Sequence, residues 1–269
     1  MTRRNLFAAL APACLTPGWF CYGEPRWFDV THTRIPMPGI RPTRILHLAD
    51  LHISDGMTAA DLEPGIRAGL ASRPDLICIT GDFVSNTAGF DQAGLRRLLR
   101  LAAASAPTLA IMGNHDGGAW LARCGGARSS EFMRSVVGST GVRVLHNESI
   151  EVGDLTIAGV GDLWSGEMAP DHAFTGVDPD RPTIALCHNP DGKTALRGYH
   201  WQLMLSGHTH GGQARIPGIT PEWAPVRDKR FIAGLYPWNG RHLFITRGLG
   251  SPHHVRAFCR PEVSILEMG

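Results

Sequence analysis

The sequence predicts an α/β fold on a parallel-type sheet, with its chemistry at the C-terminal ends of the strands. Three observations carry this. Apolar runs of strand length recur at 44–49, 75–80, 108–112, 183–187 and 203–206. Segments of helical period return the chain between the first three. Each run ends in a polar cluster rich in Asp, Asn, His and Gly, at the strand edge where α/β folds place their sites.

Composition fits one large domain or two small ones. The chain has 269 residues, 43% hydrophobic and 19% charged, enough for a sizeable core. The formal net charge of +2 gives no global field for a polyanion, so no nucleic-acid partner is expected. Thirteen histidines, several beside Asp, Asn or Gly, are a first hint of metal. The six cysteines form no Cys-x-x-Cys pair, which argues against a zinc knuckle or a dense disulfide framework. Cys78 and Cys187 fall inside strand-like runs and read as small core hydrophobes.

In chain order, residues 1–26 read as a segment apart from a single catalytic domain, 27–269. A twin-arginine opening, Arg3-Arg4, precedes an apolar stretch from Ala8 to Phe20 interrupted by Pro12 and Pro17. That stretch is shorter than the roughly 20 residues of a membrane-spanning helix. It reads either as an export signal or anchor, or as an amphipathic segment lying on the protein or a membrane surface. The expected location is accordingly a membrane surface, at the cytoplasmic face or after export, with the cytoplasm as the alternative.

Residues 28–35 alternate like a half-exposed strand and end in the turn Pro36-Met37-Pro38-Gly39. The strand 44–49 delivers Asp50 and His52, which in extended chain point to one side. Residues 58–71 form a helix despite Pro64, strand 75–80 ends in Gly81-Asp82, and 95–104 is an amphipathic helix. Strand 108–112 ends in Gly113-Asn114-His115-Asp116. Right-handed crossovers put these tips on one sheet edge, so Asp50, His52, Asp82, Asn114 and His115 are expected to meet. In the second half, strand 183–187 ends in His188, and strand 203–206 ends in Gly207-His208-Thr209-His210, with both histidines expected to face one side. Further strands are expected at 142–145, 155–160, 243–246 and 262–266. The stretches 120–148 and 163–180 read as lids or substrate walls. Trp120, Trp164 and Trp223 read as packing residues or as pocket lining, and His253-His254 as bland or as reaching the site mouth.

Asp50-x-His52, Gly81-Asp82, Gly113-Asn114-His115-Asp116, His188 and Gly207-His208-x-His210, in that order, resemble the calcineurin-like metallophosphoesterase superfamily. Gly211-Gly212-Gln213 and Arg247-Gly248-Leu249-Gly250 further resemble its bacterial membrane-associated branch, which includes exported phosphoesterases and enzymes cleaving UDP-2,3-diacylglucosamine. The resemblance implies a layered β-sandwich with flanking helices and a metal site at strand C-terminal ends. It implies that Asp50, His52 and His210 hold one divalent metal ion, that Asn114, His188 and His208 hold a second, and that Asp82 bridges them. His115 would face the substrate outside the metal shell.

The chemistry fits that ligand set. Phosphoester hydrolysis needs charge neutralised on phosphoryl oxygens and a water made nucleophilic at neutral pH, which two ions about 3.5–4 Å apart supply. Oxygen and nitrogen ligands without thiolate suit Mn, Fe or Zn. His115 can clamp a phosphoryl oxygen or protonate the leaving group. In several branches an Asp three residues after the bridging one pairs with this His. Here that position is Ser85, and Asp116 is the local substitute expected to act with His115. The expected function is a phosphodiesterase or pyrophosphatase acting on a small-molecule or lipid-linked substrate, with a phosphomonoesterase or a non-catalytic scaffold as alternatives.

Overall fold

A computed structural model describes residues 16–215 and 221–269; the twin-arginine opening, most of the apolar stretch after it and Cys14 lie outside the described residues. Two six-stranded sheets face each other. The first has the order β1 (Asp29–Ile35), β12 (Glu262–Met268), β2 (Thr43–Leu48), β3 (Leu76–Thr80), β4 (Thr108–Ile111), β5 (Arg143–Val144). The second runs β10 (Gly234–Trp238), β11 (Arg241–Ile245), β9 (Leu203–Ser206), β8 (Thr183–Leu186), β7 (Leu155–Gly159), β6 (Glu148–Val152). Ile45, Cys78, Leu109 and Ile111 from the first sheet pack on Ile157, Ile184, Leu205 and Phe244 from the second, forming the central apolar layer. The fold is the layered α/β sandwich expected.

Helices α1 (Ala59–Leu70) and α2 (Gln92–Ala103) return the chain over the outer face of the first sheet, where Leu62, Ile66, Leu95 and Leu98 are buried. Thr58 and Asp61 start α1 with a reciprocal capping box. After α3 (Ala119–Arg123), helix α4 (Glu131–Gly138) inserts Met133, Val136 and Val137 into the same core. Part of the stretch expected to be a lid is therefore structural, because its apolar residues recur at helical spacing. The short helix α5 (Pro170–Ala173) lies beside the second sheet, whose outer face packs around Trp201, Phe174 and Phe231.

Strand β12 departs from a purely parallel sheet. It pairs antiparallel with β2 and parallel with β1. β11 runs parallel to β9 toward the site, and the 246–261 loop crosses that end, so β12 starts there and runs away. Two edge strands, β6 and β10, were not expected. The turn between β10 and β11 is Asn239-Gly240, both residues at positive φ, the pairing favoured in tight hairpins and the signal that marks it in the sequence.

The described part of the N-terminal segment packs on the domain. Glu24 is buried and accepts a hydrogen bond from the Cys259 amide at 2.6 Å, and Arg26 pairs with Asp61 at 2.7 Å. Among the described residues no helix is long and apolar enough to cross a membrane.

Candidate metal centre

The seven ligand candidates and His115 stand on the loops after β2, β3, β4, β8 and β9, all at one end of the sandwich. Five of the candidates, Asp50, His52, Asp82, His208 and His210, have positive φ. L-residues take this conformation only where surrounding structure over-determines it, and such strain clusters at functional sites. Here close backbone approach enforces it. A Cβ on Gly81 would lie 2.4 Å from the Gly113 amide nitrogen, and one on Gly250 would lie 2.0 Å from the Leu51 carbonyl oxygen. The Asp50 amide donates to Gly81, the His52 amide to Asp82, and the Gly250 amide to Asp50, at 2.9, 3.1 and 2.7 Å.

The tight turns, not extended alternation, set the side-chain directions. Asp50, His52 and His210 come together, with the Nε2 atoms of the two histidines 3.1 Å apart. His208, two residues from His210, points elsewhere: its Nδ1 faces His188 Nε2 at 3.2 Å. The expectation that His208 and His210 face one side fails because both residues are left-handed. Asp82, His188 and His208 form a second group, and the Asn114 oxygen lies 3.2 Å from His188 Nε2. The two groups meet at Asp82, whose Oδ2 is 3.5 Å from His52 Nε2 and 3.2 Å from His188 Nε2.

This arrangement suits two cations. The His188 Nδ1–H donates to the Thr80 carbonyl at 2.6 Å and the His208 Nε2–H to the Pro225 carbonyl at 2.9 Å, which leaves the opposite ring nitrogens turned inward as lone pairs. Burial holds His52, His208 and His210 below the ordinary imidazole range, with neighbouring rings adding to the effect, so they stand as neutral donors. Burial opposes charge on His188 too, but the Asp82 carboxylate more than offsets it and draws its pKa up to about 10, so its inward nitrogen carries a proton that a bound cation would displace to expose the lone pair. Burial pushes Asp50 up to about 7. Asp82 is driven well below the carboxylate range, because surrounding imidazoles outweigh its desolvation. Converging lone pairs around buried carboxylates are costly without positive charge between them.

His115 lies beside the first group, its ring 4.7 Å from His52 and 4.4 Å from Trp120, centroid to centroid. Its Nδ1–H donates to the backbone carbonyl of Ser85 at 2.7 Å. The Ser85 hydroxyl turns away, to the His52 carbonyl. Asp116 does not pair with His115. Fully buried, it accepts amide hydrogens from Gly113, Asp82 and Phe83, each at 2.8 Å. The expected catalytic role of Asp116 therefore gives way to a positioning role: three amides turn its carboxylate into the tie that holds the Asp82 and Asn114 loops together.

Three supporting residues carry no motif. Arg256 is fully buried, and its guanidinium donates to the carbonyls of His210, Arg247 and Gly250. It fastens the 247–259 loop under His210, and an isolated Arg leaves no sequence signal for such a role. Asp162, at the end of β7, is buried and accepts from the Ser165 amide at 2.7 Å. Pro225 supplies only its carbonyl, which no side-chain pattern announces. A cavity of about 380 Å³ opens above the metal-ligand candidates, lined by Trp120, Trp164 and Trp223 and by His253. The tryptophans are wall residues, with Trp164 packed against His208 at 4.5 Å.

A profile of the calcineurin-like phosphoesterase family matches residues 43–212, more than half of the chain. Among relatives, the chain is 36% identical to phosphodiesterase YaeI of Escherichia coli, over 100% of this chain and 99% of that protein. It is 29% identical to the uncharacterized metallophosphoesterase YkuE of Bacillus subtilis, covering 98% and 95% of the two chains. It is 26% identical to UDP-2,3-diacylglucosamine pyrophosphatase LpxG of Chlamydia muridarum, covering 97% and 95%. Strand-tip motifs, the clustered ligand atoms and the profile agree, and the chain belongs to the calcineurin-like phosphoesterase family, as a metal-dependent hydrolase of phosphoric esters.

Proposed function

We propose that the chain cleaves a phosphodiester or pyrophosphate bond with two divalent ions, Mn, Fe or Zn, in a small-molecule or lipid-linked substrate of the nucleotide-sugar type. Asp50, His52 and His210 hold one ion, Asn114, His188 and His208 the other, and Asp82 serves both. The observation that carries this reading is the single Asp82 oxygen facing His52 on one side and His188 on the other. Such a pair of ions neutralises phosphoryl charge and makes water nucleophilic at neutral pH.

The chain's own groups do the rest. The Ser85 carbonyl holds the His115 Nδ1–H, so the other ring nitrogen is left to give or take a proton at the cavity that His115 lines. The Asp82 Oδ1 accepts the His115 amide at 2.8 Å, so one carboxylate fixes both the metal-binding loop and the proton-carrying one. Trp120, Trp164 and Trp223 shield the cavity from water and offer ring faces to the group beyond the phosphate.

A substrate delivered at a membrane surface fits the exposed aromatics on and beside the N-terminal segment. Tyr22, Trp27 and Phe258 are 74%, 52% and 56% exposed, and Phe258 packs on Phe20 of the N-terminal segment. Location at such a surface, at the cytoplasmic face or after export, is part of this proposal.

The test is hydrolysis by the Mn²⁺-loaded protein of bis-p-nitrophenyl phosphate, p-nitrophenyl phosphate and UDP-2,3-diacylglucosamine. Turnover of a diester or pyrophosphate in preference to the monoester is the expected result. Failure on all three would leave a scaffold that binds without chemistry.

A further inference from the structure

Behind the aromatic wall lies a second cavity, of about 620 Å³, that shares Trp164 with the first. The Lys193 side chain is only 5% exposed, yet the nearest carboxylate oxygens, on Asp191 and Asp228, are 3.7 and 3.9 Å away, beyond hydrogen-bond reach. Its ammonium sits 4.6 Å from the centre of the Phe231 ring. The oxygens of the two acids are already engaged. Asp191 accepts the Arg227 amide at 2.7 Å, and Asp228 accepts the Arg230 side chain through both oxygens at 2.8 Å. Arg227 also lines the cavity, and among the described residues its guanidinium makes no hydrogen bond or ion pair. The cavity therefore sets two cations beside two carboxylates that are already engaged, and the Arg227 guanidinium is left with donors to spare. A nearly buried ammonium held only by ion pairs longer than a hydrogen bond can gain a charged hydrogen bond from an anionic oxygen.

We infer that this cavity is a second anion subsite, which takes a phosphate group of the substrate other than the one being cleaved. The inference rests on the phosphoesterase reading above and narrows its substrate class to molecules with a further phosphate. Lys193 supplies a shielded point charge, Arg227 a planar fork at the entrance, and Trp164 and Trp238 the side walls for the group that carries the phosphate. Asp191 and Asp228 flank Lys193 and temper its charge, which lets product leave, and Asp191 fixes the Arg227 backbone. Lys193 and Arg227 are then residues that determine specificity.

Two esters with the same scissile bond test this: thymidine 5′-(p-nitrophenyl phosphate) and its 3′-phosphorylated form, each with the Mn²⁺-loaded full chain. The 3′-phosphate is expected to lower KM by about tenfold or more with kcat little changed, the size of one charged hydrogen bond. In Lys193→Met and in Arg227→Gln the ratio of the two KM values is expected to fall toward one. Arg227 is exposed, so its variant stands even where Lys193→Met fails to fold. A ratio near one in the unaltered protein, or a ratio that survives Arg227→Gln, overturns the subsite. Should neither ester be cleaved, the reaction assignment fails on its own account. Titration with thymidine 3′,5′-bisphosphate against thymidine 5′-phosphate then decides the subsite: tighter binding of the bisphosphate, lost in Arg227→Gln, supports it, and equal binding refutes it.

Discussion

The floor of the site and its rim are built on different principles. The floor is a set of side chains at strand ends, fully buried or nearly so, held by left-handed residues and backbone hydrogen bonds between neighbouring loops. The rim is made of Trp120, Trp164 and Trp223 on longer connections, with Trp223 at 52% exposure and Trp164 at 36%. A rigid floor fixes the type of chemistry, because ligand atoms must sit within tenths of an ångström of the positions a metal ion requires. A rim that stands partly in solvent can change without disturbing them, so it is where substrate choice resides.

If that division holds, substitutions in the floor act on metal and rate, and those in the rim act on KM. The largest effect is expected for Asp82→Ala, which removes an oxygen shared by both metal groups. Its kcat/KM should fall further than that of any other single variant, as steady-state assays with bis-p-nitrophenyl phosphate would register. His115→Ala should keep its metal and lose about 10²–10⁴ in kcat, the usual worth of a positioned proton carrier. Removing the metal with a chelator should lower the melting temperature by roughly 10 °C, since tight binding stabilises by about 4 kcal/mol and a chain of this size shifts by about 2–4 °C per kcal/mol. An unchanged melting curve would show that the floor is preformed without cations. Trp164→Ala should leave metal content alone and raise KM for an aromatic or nucleoside ester by about tenfold, as loss of a stacking surface implies. Ser85→Ala should change activity least, by less than about tenfold, because the His115 contact is to the Ser85 backbone.

The same division explains what the amino-acid sequence revealed. Asp50, His52, Asp82, Asn114, His188, His208 and His210 announce themselves because a strand tip rich in polar residues has few structural reasons to exist. The parallel core of both sheets was legible for the same reason, as apolar runs of strand length. What was not legible depends on main-chain atoms and on distance in the chain. The partner of His115 is a carbonyl, Ser85, which any residue could supply. Asp116 reads as a catalytic acid beside His115, and only the folded loop shows it satisfied by three amides. Arg256 reaches His210 across 46 positions, and nothing near it in the sequence marks the contact. The β12 strand reads as an ordinary tail, since its insertion between β1 and β2 follows from where the preceding loop ends.

The bridging role of Asp82 is tested most directly by counting metal. Inductively coupled plasma measurements on the purified chain, Asp82→Ala and His115→Ala, after equal loading with Mn²⁺ and gel filtration, give the stoichiometry for each. The account predicts two ions per chain in the unaltered protein and in His115→Ala, and loss from both positions in Asp82→Ala. Two tightly held ions in Asp82→Ala would contradict it.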